Sequence, residues 1–286
     1  ETTGDGVKVL RPARPGDNIG EAGEDVAKGD LVLDKGELIG PAEVGMLAAL
    51  GHATVWVARR PRVAVLATGD EIVEPAEKAR AGQIRNANGP ALTAAALQAG
   101  AAASYLGIAR DRNSSLARRI GKAAAADILV LSGGVSVGDY DLVKDELRAS
   151  GVRQVFWQVR IKPGKPVFFG VRGRQLVFGL PGNPASALVT FHLFVRPAVD
   201  RMLGRKTVGL RAGKAVLGQT VTMKPGRTQF LRAAAAGAGP ELRVIPYPDQ
   251  KSGVLRSMVR SRVLIMVGAE VARIDEGQTV DVLFID

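Results

Sequence analysis

Two lysines, Lys162 and Lys165, stand in the run KPGKP, and five carboxylates, Asp70, Glu71, Asp111, Asp139 and Asp141, stand in short polar segments elsewhere. Lysine ammonium groups bind phosphate-like anions, and carboxylate oxygens are the ligands that magnesium takes. Together they suit an anion held partly by cations and partly through a bridging divalent metal. Pro163 and Pro166 restrict the lysine loop and so fix where its charges point. The stretch Ser132–Asp141, SGGVSVGDYD, adds a second kind of anion site. Gly133, Gly134 and Gly138 permit close approach of backbone N–H groups, and Ser132 and Ser136 add hydroxyl donors. Asp139 and Asp141 fall where a helix should begin, as caps or as metal ligands. Each residue also has a plainer role open to it. Asp70 and Glu71 can shape a turn, Asp139 can cap, and Lys144 can lie on a solvated helix face.

These residues need a scaffold, and the pattern from Arg62 onward supplies one. Val63–Ala67, Ala103–Ile108, Ile128–Leu131 and Val155–Ile161 read as strands, and 167–171 with 175–179 as a hairpin about Gly173. Helices are expected at Pro90–Ala99, Ser114–Ala125 with Ser114 as N-cap, Leu142–Ala149, and Pro184–Leu203 with a kink at Pro197. This alternation predicts an α/β fold, a three-layer α/β/α arrangement around a mostly parallel sheet, over residues 61–205. The loops Thr68–Glu71, Asp111, Ser132–Asp141, Lys162–Pro166 and Leu180–Pro184 each follow a strand. Ligands of open α/β sheets bind outside the carboxyl ends of the strands, so the five loops are expected to converge on one crevice. Upstream, residues 1–24 read as a β remnant. Residues 25–60 read as a connecting helical segment with a strand at Asp30–Lys35 and a helix opened by Pro41. Beyond residue 206, Lys214–Met223, Thr228–Ala235, Leu242–Pro246, Val263–Val267 and Thr279–Ile285 predict a small all-β domain, 206–286, without helical periodicity.

Composition narrows the classes. The 286 residues are 46% hydrophobic and 23% charged, contain no cysteine and carry a net charge of +11. Disulfides and thiolate sites are excluded, which fits a reducing cytoplasm. No apolar run approaches spanning length, so no membrane partner is expected. The basic residues are interspersed with acids and aromatics make up 5%, so a small polyanion is expected and a nucleic acid is not. Gly134–Gly138, GVSVG, satisfies G-x-S-x-G after a strand. The only later histidine, His192, lies in the apolar run Leu188–Val195, which makes a Ser hydrolase the lesser reading.

The ordered set LATGDE at 66–71, GQIRNAN at 82–88, ILVLSGGVSVGDYD at 128–141, IKPGKP at 161–166 and GLPGNPASALVTF at 179–191 resembles the molybdopterin molybdenumtransferase family. GEDV at 23–26 and KPGRTQFLR at 224–232 extend the resemblance, which also reaches the C-terminal domain of gephyrin. It implies an enzyme that inserts molybdate into adenylylated molybdopterin and releases AMP with a divalent metal, Mg2+, as a cytoplasmic homodimer. It further implies Glu71, Asp111 and Asp141 as acidic residues at the metal and pyrophosphate, and Lys162 and Lys165 as lysines facing the anions. Thr68, Asp70, Ser132, Gly133, Gly134, Ser136, Pro181, Pro184, Asp25, Arg227 and Ser257 are implied as substrate contacts. Ala87 and Arg256 stand where the family commonly has serine. The family's upstream segment, with a MDGYA-like motif and most of a lid domain, is absent here, so residues 1–24 read as a remnant of that lid. The same fold also implies an alternative, a scaffold without turnover. A sister family that adenylylates the cofactor shares the glycine-rich domain but not the β domain.

Overall fold

The computed structural model describes residues 2–4, 6–7, 9–12, 14–134 and 142–285, and the chain divides into two compact units, Glu1–Thr54 and Val55–Asp286. In the first unit β1 (Thr2–Thr3) pairs antiparallel with β2 (Gly6–Val7). Helix α1 (Pro41–Ala49) opens with proline in its first turn, and the Glu43 carboxylate accepts the Gly40 N–H at 2.8 Å. The strand expected at Asp30–Lys35 does not form. Asp30 accepts the Ala27 N–H at 2.9 Å and Asp34 accepts the Lys35 N–H at 2.7 Å. Short acidic side chains compete here for the donors a ladder would need.

The second unit begins with β3 (Arg62–Thr68), β4 (Ile72–Val73), β5 (Ile84–Arg85), α2 (Asn88–Gln98), β6 (Ala102–Ala109), α3 (Asn113–Lys122), β7 (Ile128–Ser132), α4 (Leu142–Ala149) and β8 (Arg153–Trp157). It continues through β9 (Ile161–Lys162), β10 (Phe168–Arg172), β11 (Gln175–Leu180), α5 (Pro184–Thr190), a π-helical turn at Phe191–Val195 and α6 (Arg196–Met202). The main sheet runs β6-β3-β7-β11-β10-β8. Its first four strands are parallel, and β10 is antiparallel to both neighbours. The central strands RVAVLAT and ILVLS are continuous apolar runs because both faces are covered. Val63, Val65, Ile128 and Val130 pack with Leu92 and Ala96 of α2 and Val199 of α6. Ala64, Leu66, Leu129 and Leu131 point the other way, onto Leu116 and Ile120 of α3 and Val143 and Leu147 of α4.

Three expected elements differ. Helix α3 starts at Asn113 rather than at a Ser114 cap, and the Ser115 hydroxyl accepts the Arg110 N–H at 3.1 Å. The long helix is interrupted just before Pro197, where the missing N–H and the ring cannot continue a regular turn and the backbone widens to a π turn. The strand expected at Val155–Ile161 breaks at Gln158, whose φ is +71°. Its second piece, β9, joins the other sheet, parallel to β14 (Thr228–Ala236).

That sheet contains β12 (Ala212–Leu217), β14, β15 (Arg243–Pro246), β16 (Val263–Val267) and β18 (Thr279–Phe284), while β13 (Val221–Thr222) pairs with β17 (Arg273–Ile274). Strand β15 pairs with both β12 and β14, so the five strands close on themselves and leave β9 beside β14. Closure removes strand edges and encloses Leu217, Leu231, Ala233, Val244, Ile265 and Val282. A 3-10 turn at Gly239–Glu241 and one α-helical turn, α7 (Arg256–Val259), interrupt the otherwise β region.

Candidate functional site

Along the chain β6 lies on one side of β3 and β7 on the other, so the order reverses between β3 and β7. Adjacent connections leave in opposite directions there and open a crevice at the strands' carboxyl ends. A cavity of about 400 Å³ occupies that place. Thr68 and Glu71 line it from β3, Ser132, Gly133 and Gly134 from β7, and Pro181, Gly182, Asn183 and Pro184 from the turn after β11. Pro166 and the segment Arg85, Asn86, Ala87 and Asn88 close it. Seven of the expected site residues are therefore brought together: Thr68, Glu71, Ser132, Gly133, Gly134, Pro181 and Pro184.

The walls are fixed by a neutral polar network. Asn88 Nδ2 donates to Ser132 Oγ at 2.8 Å and to the Gly182 carbonyl at 2.7 Å, tying the start of α2 to two loops. Ser132 Oγ donates to the Pro181 carbonyl at 3.3 Å, and the Gly133 N–H donates to the Leu180 carbonyl at 3.2 Å. Gly133 has φ +94°, and a Cβ there would lie 2.5 Å from the Thr68 carbonyl. Only glycine lets the two loops approach this closely. Asn86 donates to Tyr105 Oη at 2.6 Å and accepts the Gly89 N–H at 3.0 Å, which anchors the first turn of α2. Asn88 and Asn183 were quoted in motifs but given no role. The signal was their position: one opens a helix, the other precedes the proline that opens another.

The carboxylates form a separate pair of turns. The Asp70 N–H donates to Asp111 Oδ2 at 3.3 Å and the Asp111 N–H donates to Asp70 Oδ1 at 3.2 Å. Arg110 Nη1 donates to the carbonyls of Asp70 at 3.1 Å and Ile72 at 2.9 Å, clamping the turn after β3. Burial, and then the charges of Asp70 and Glu71, hold the Asp111 carboxyl above its ordinary range, against the Asp70 N–H and the charge of Arg110. Glu71 faces the 400 Å³ cavity, whereas Asp70 lines a wider cleft of about 700 Å³ with Arg110, Arg112, Ser114, Ser115 and Arg118. Among the described residues no three His, Asp or Glu side chains gather as an ion-binding group. Asp141, the third expected ligand, and Asp139, Ser136 and Gly138 lie outside the described residues. Glu71 and Asp111 supply hard oxygen donors of the type that magnesium takes.

The lysines are not in the cavity wall. Lys165 is exposed on the loop before Pro166. Lys162 faces a third cavity of about 350 Å³, lined also by Gln229, Tyr247 and Gln250. Arg227 donates to the Ile161 carbonyl at 3.4 Å beside it. The five loops thus border three hollows rather than one crevice. Lys144 sits 3.4 Å over the Trp157 ring, so neither the solvated face nor the crevice claims it. Ser257 is fully buried, donates to the Val254 carbonyl at 2.5 Å and accepts from Arg232, so its hydroxyl is engaged within the chain. Asp25 is exposed among turns of the first unit. His192 is buried in the π turn with Nδ1 unpartnered among the described residues. Burial pulls its pKa down to about 4, which removes it as a base for a serine nucleophile.

Residues 64–201 match a family described as a probable molybdopterin binding domain. Residues 1–51 match the MoeA N-terminal region (domain I and II), and residues 214–285 the MoeA C-terminal region (domain IV). The chain is 33% identical over 283 residues to a molybdopterin molybdenumtransferase of Staphylococcus aureus, covering 98% of this chain and 67% of the relative. The Bacillus subtilis protein of the same name is 33% identical over 280 residues, 98% of this chain and 65% of its own length. A solved molybdopterin biosynthesis protein from Pyrococcus horikosii superposes with a TM-score of 0.82 at 35% identity, covering 96% of this chain and 67% of the other. The chain spans about two thirds of the length of these proteins. No helix among the described residues is long and apolar enough to cross a membrane.

Proposed function

The chain belongs to the molybdopterin molybdenumtransferase family, transferases of molybdenum cofactor biosynthesis, and from that premise we propose that the cavity between β3 and β7 takes adenylylated molybdopterin, which receives molybdate at its dithiolene as AMP is released. The observation that carries this reading is the cavity itself. It has a neutral amide and hydroxyl network on one wall and a carboxylate, Glu71, on another. Asn88 and Asn183 would read the heteroatoms of a pterin, and the backbone of Gly134 would take a phosphate.

Glu71 and Asp111, joined by Asp141, would hold Mg2+, which neutralises phosphate charge when bound. Lys162 and Lys165, with Arg227 just ahead of the strand paired to that of Lys162, would form the oxyanion side and hold molybdate. Ser136 is a further substrate contact in this reading. The reading also takes the active form to be a cytoplasmic homodimer. Purified protein supplied with adenylylated molybdopterin, Mg2+ and molybdate should release AMP and yield a cofactor that activates an apo-molybdoenzyme. Absence of AMP above the protein-free control refutes the reading.

A further inference from the structure

Arg232 is the largest fully buried side chain of the described residues and carries a charge into the interior. It lies on β14, one face of which packs Leu231 and Ala233 inside the closed sheet. The other face carries Phe230, which with Leu264 packs on Val189 of α5. Among the described residues no carboxylate forms an ion pair with the guanidinium. Instead Nε donates to Ser257 Oγ at 3.0 Å, Nη1 to the Gln250 carbonyl at 3.1 Å, and Nη2 to the carbonyls of Asp249 at 3.4 Å and Lys251 at 2.9 Å. Gln250 answers with its amide, accepting the Arg232 N–H at 3.0 Å and donating to the Arg232 carbonyl at 2.9 Å. Burial pulls the guanidinium down to about 10, with Asp249 opposing, so it stays charged near neutral pH.

Three successive loop carbonyls, 249 to 251, are thus held by one side chain. The next residue, Ser252, is the link to the cavity. Its hydroxyl accepts Asn183 Nδ2 at 2.9 Å and its carbonyl accepts the Ala185 N–H at 3.1 Å. Asn183 is the N-cap residue of α5, yet its side chain makes no cap bond to its own helix. The second-domain loop provides that cap in its place. Asn183 and Pro184 line the cavity.

We propose that Arg232 is a positioning residue for the cavity: by fixing the carbonyls of residues 249–251 it presents Ser252 as an external cap that sets Asn183 and the first turn of α5. A buried charge is suited to this because a guanidinium offers a planar fork of donors that a neutral side chain lacks. What the cavity binds rests on the proposed function; the coupling itself does not.

Amide hydrogen exchange followed by mass spectrometry tests the coupling without any substrate. In Arg232→Lys, which keeps charge and loses the fork, peptides containing residues 249–252 and Ala185 should both exchange about tenfold faster, while α3 peptides stay as in the wild type. Asn183→Ala, which leaves Arg232 untouched, should release Ala185 and leave 249–252 protected. If 249–252 opens equally in Asn183→Ala, the loop is held from the cavity side and the proposal fails. It fails also if Arg232→Lys leaves Ala185 unchanged, or raises exchange uniformly through the chain. Given AMP release by the wild type, Arg232→Lys should raise KM for the adenylylated pterin about tenfold with little change in kcat. Failure of the wild type to release AMP would refute the function and leave the exchange result to decide the coupling.

Discussion

Two of the polar clusters among the described residues differ in what they leave open. Around Asn88, Ser132 and the Gly182 carbonyl the groups are neutral and one side of the network faces a cavity. Around Arg232 the group is charged, the partners are mostly loop carbonyls, and the network stands off the 400 Å³ cavity, with Gln250 lining the separate 350 Å³ one. The first retains hydrogen-bonding capacity for a ligand. The second uses its capacity internally, to hold the backbone that caps α5. A binding wall and its support thus obey the same satisfaction rule and differ in whether a ligand is needed to complete it.

The comparison breaks most sharply at Arg232. Arg232→Leu leaves the carbonyls of residues 249–251 and the Ser257 hydroxyl unpaired, and should lower unfolding free energy by about 3 kcal/mol or more in urea titrations. His192 is a buried polar group belonging to neither cluster, and it predicts a pH dependence. Its folded pKa, about 4, lies below the ordinary 6.5, so the unfolded chain takes up the proton first. Stability should fall as pH drops from 6.5 toward 4, by on the order of 3 kcal/mol, and His192→Leu should remove that slope. Gly133→Ala strikes the cavity wall, with φ +94° and the Thr68 carbonyl in the way. It should cost about 2 kcal/mol by thermal unfolding and abolish AMP release. Asn88→Ala should cost about 1 kcal/mol and raise KM for the pterin about tenfold, because the wall loses a group that a ligand shares. Glu71→Gln should leave stability within about 0.5 kcal/mol and raise the Mg2+ concentration for half-maximal AMP release. An unchanged Mg2+ requirement would remove Glu71 from the metal site.

Much of the scaffold was legible because apolar runs are unambiguous when both faces of a strand are buried. Val63–Ala67 and Ile128–Leu131 were read within a residue or two of β3 and β7. The loops after them were legible for the same reason, since a glycine at the end of such a run marks a turn. Less legible was anything depending on a single backbone angle. Gln158 at φ +71° splits one expected strand between two sheets and carries Lys162 away from the 400 Å³ cavity. Asn88 and Asn183 passed unassigned because an asparagine beside a helix start is usually a cap, and here each bonds across to another segment. Ser257 was implied as a substrate contact by the resemblance but is buried, and burial is not written in a local stretch of sequence.

By itself the sequence determined the alternation of strand and helix and the glycine-bearing turns at the strand ends. Those are local facts, set by periodicity, by the permissiveness of glycine and by the fixed φ of proline. Only the tertiary structure decided which loops share a hollow. Sheet order placed the turns after β3 and β7 at the reversal point. Closure of the second sheet set Arg232 and its loop against α5, a contact between residues 69 positions apart at Asn183 and Ser252. Contacts at such separation depend on how the strands pair, and no local pattern along the chain encodes that pairing.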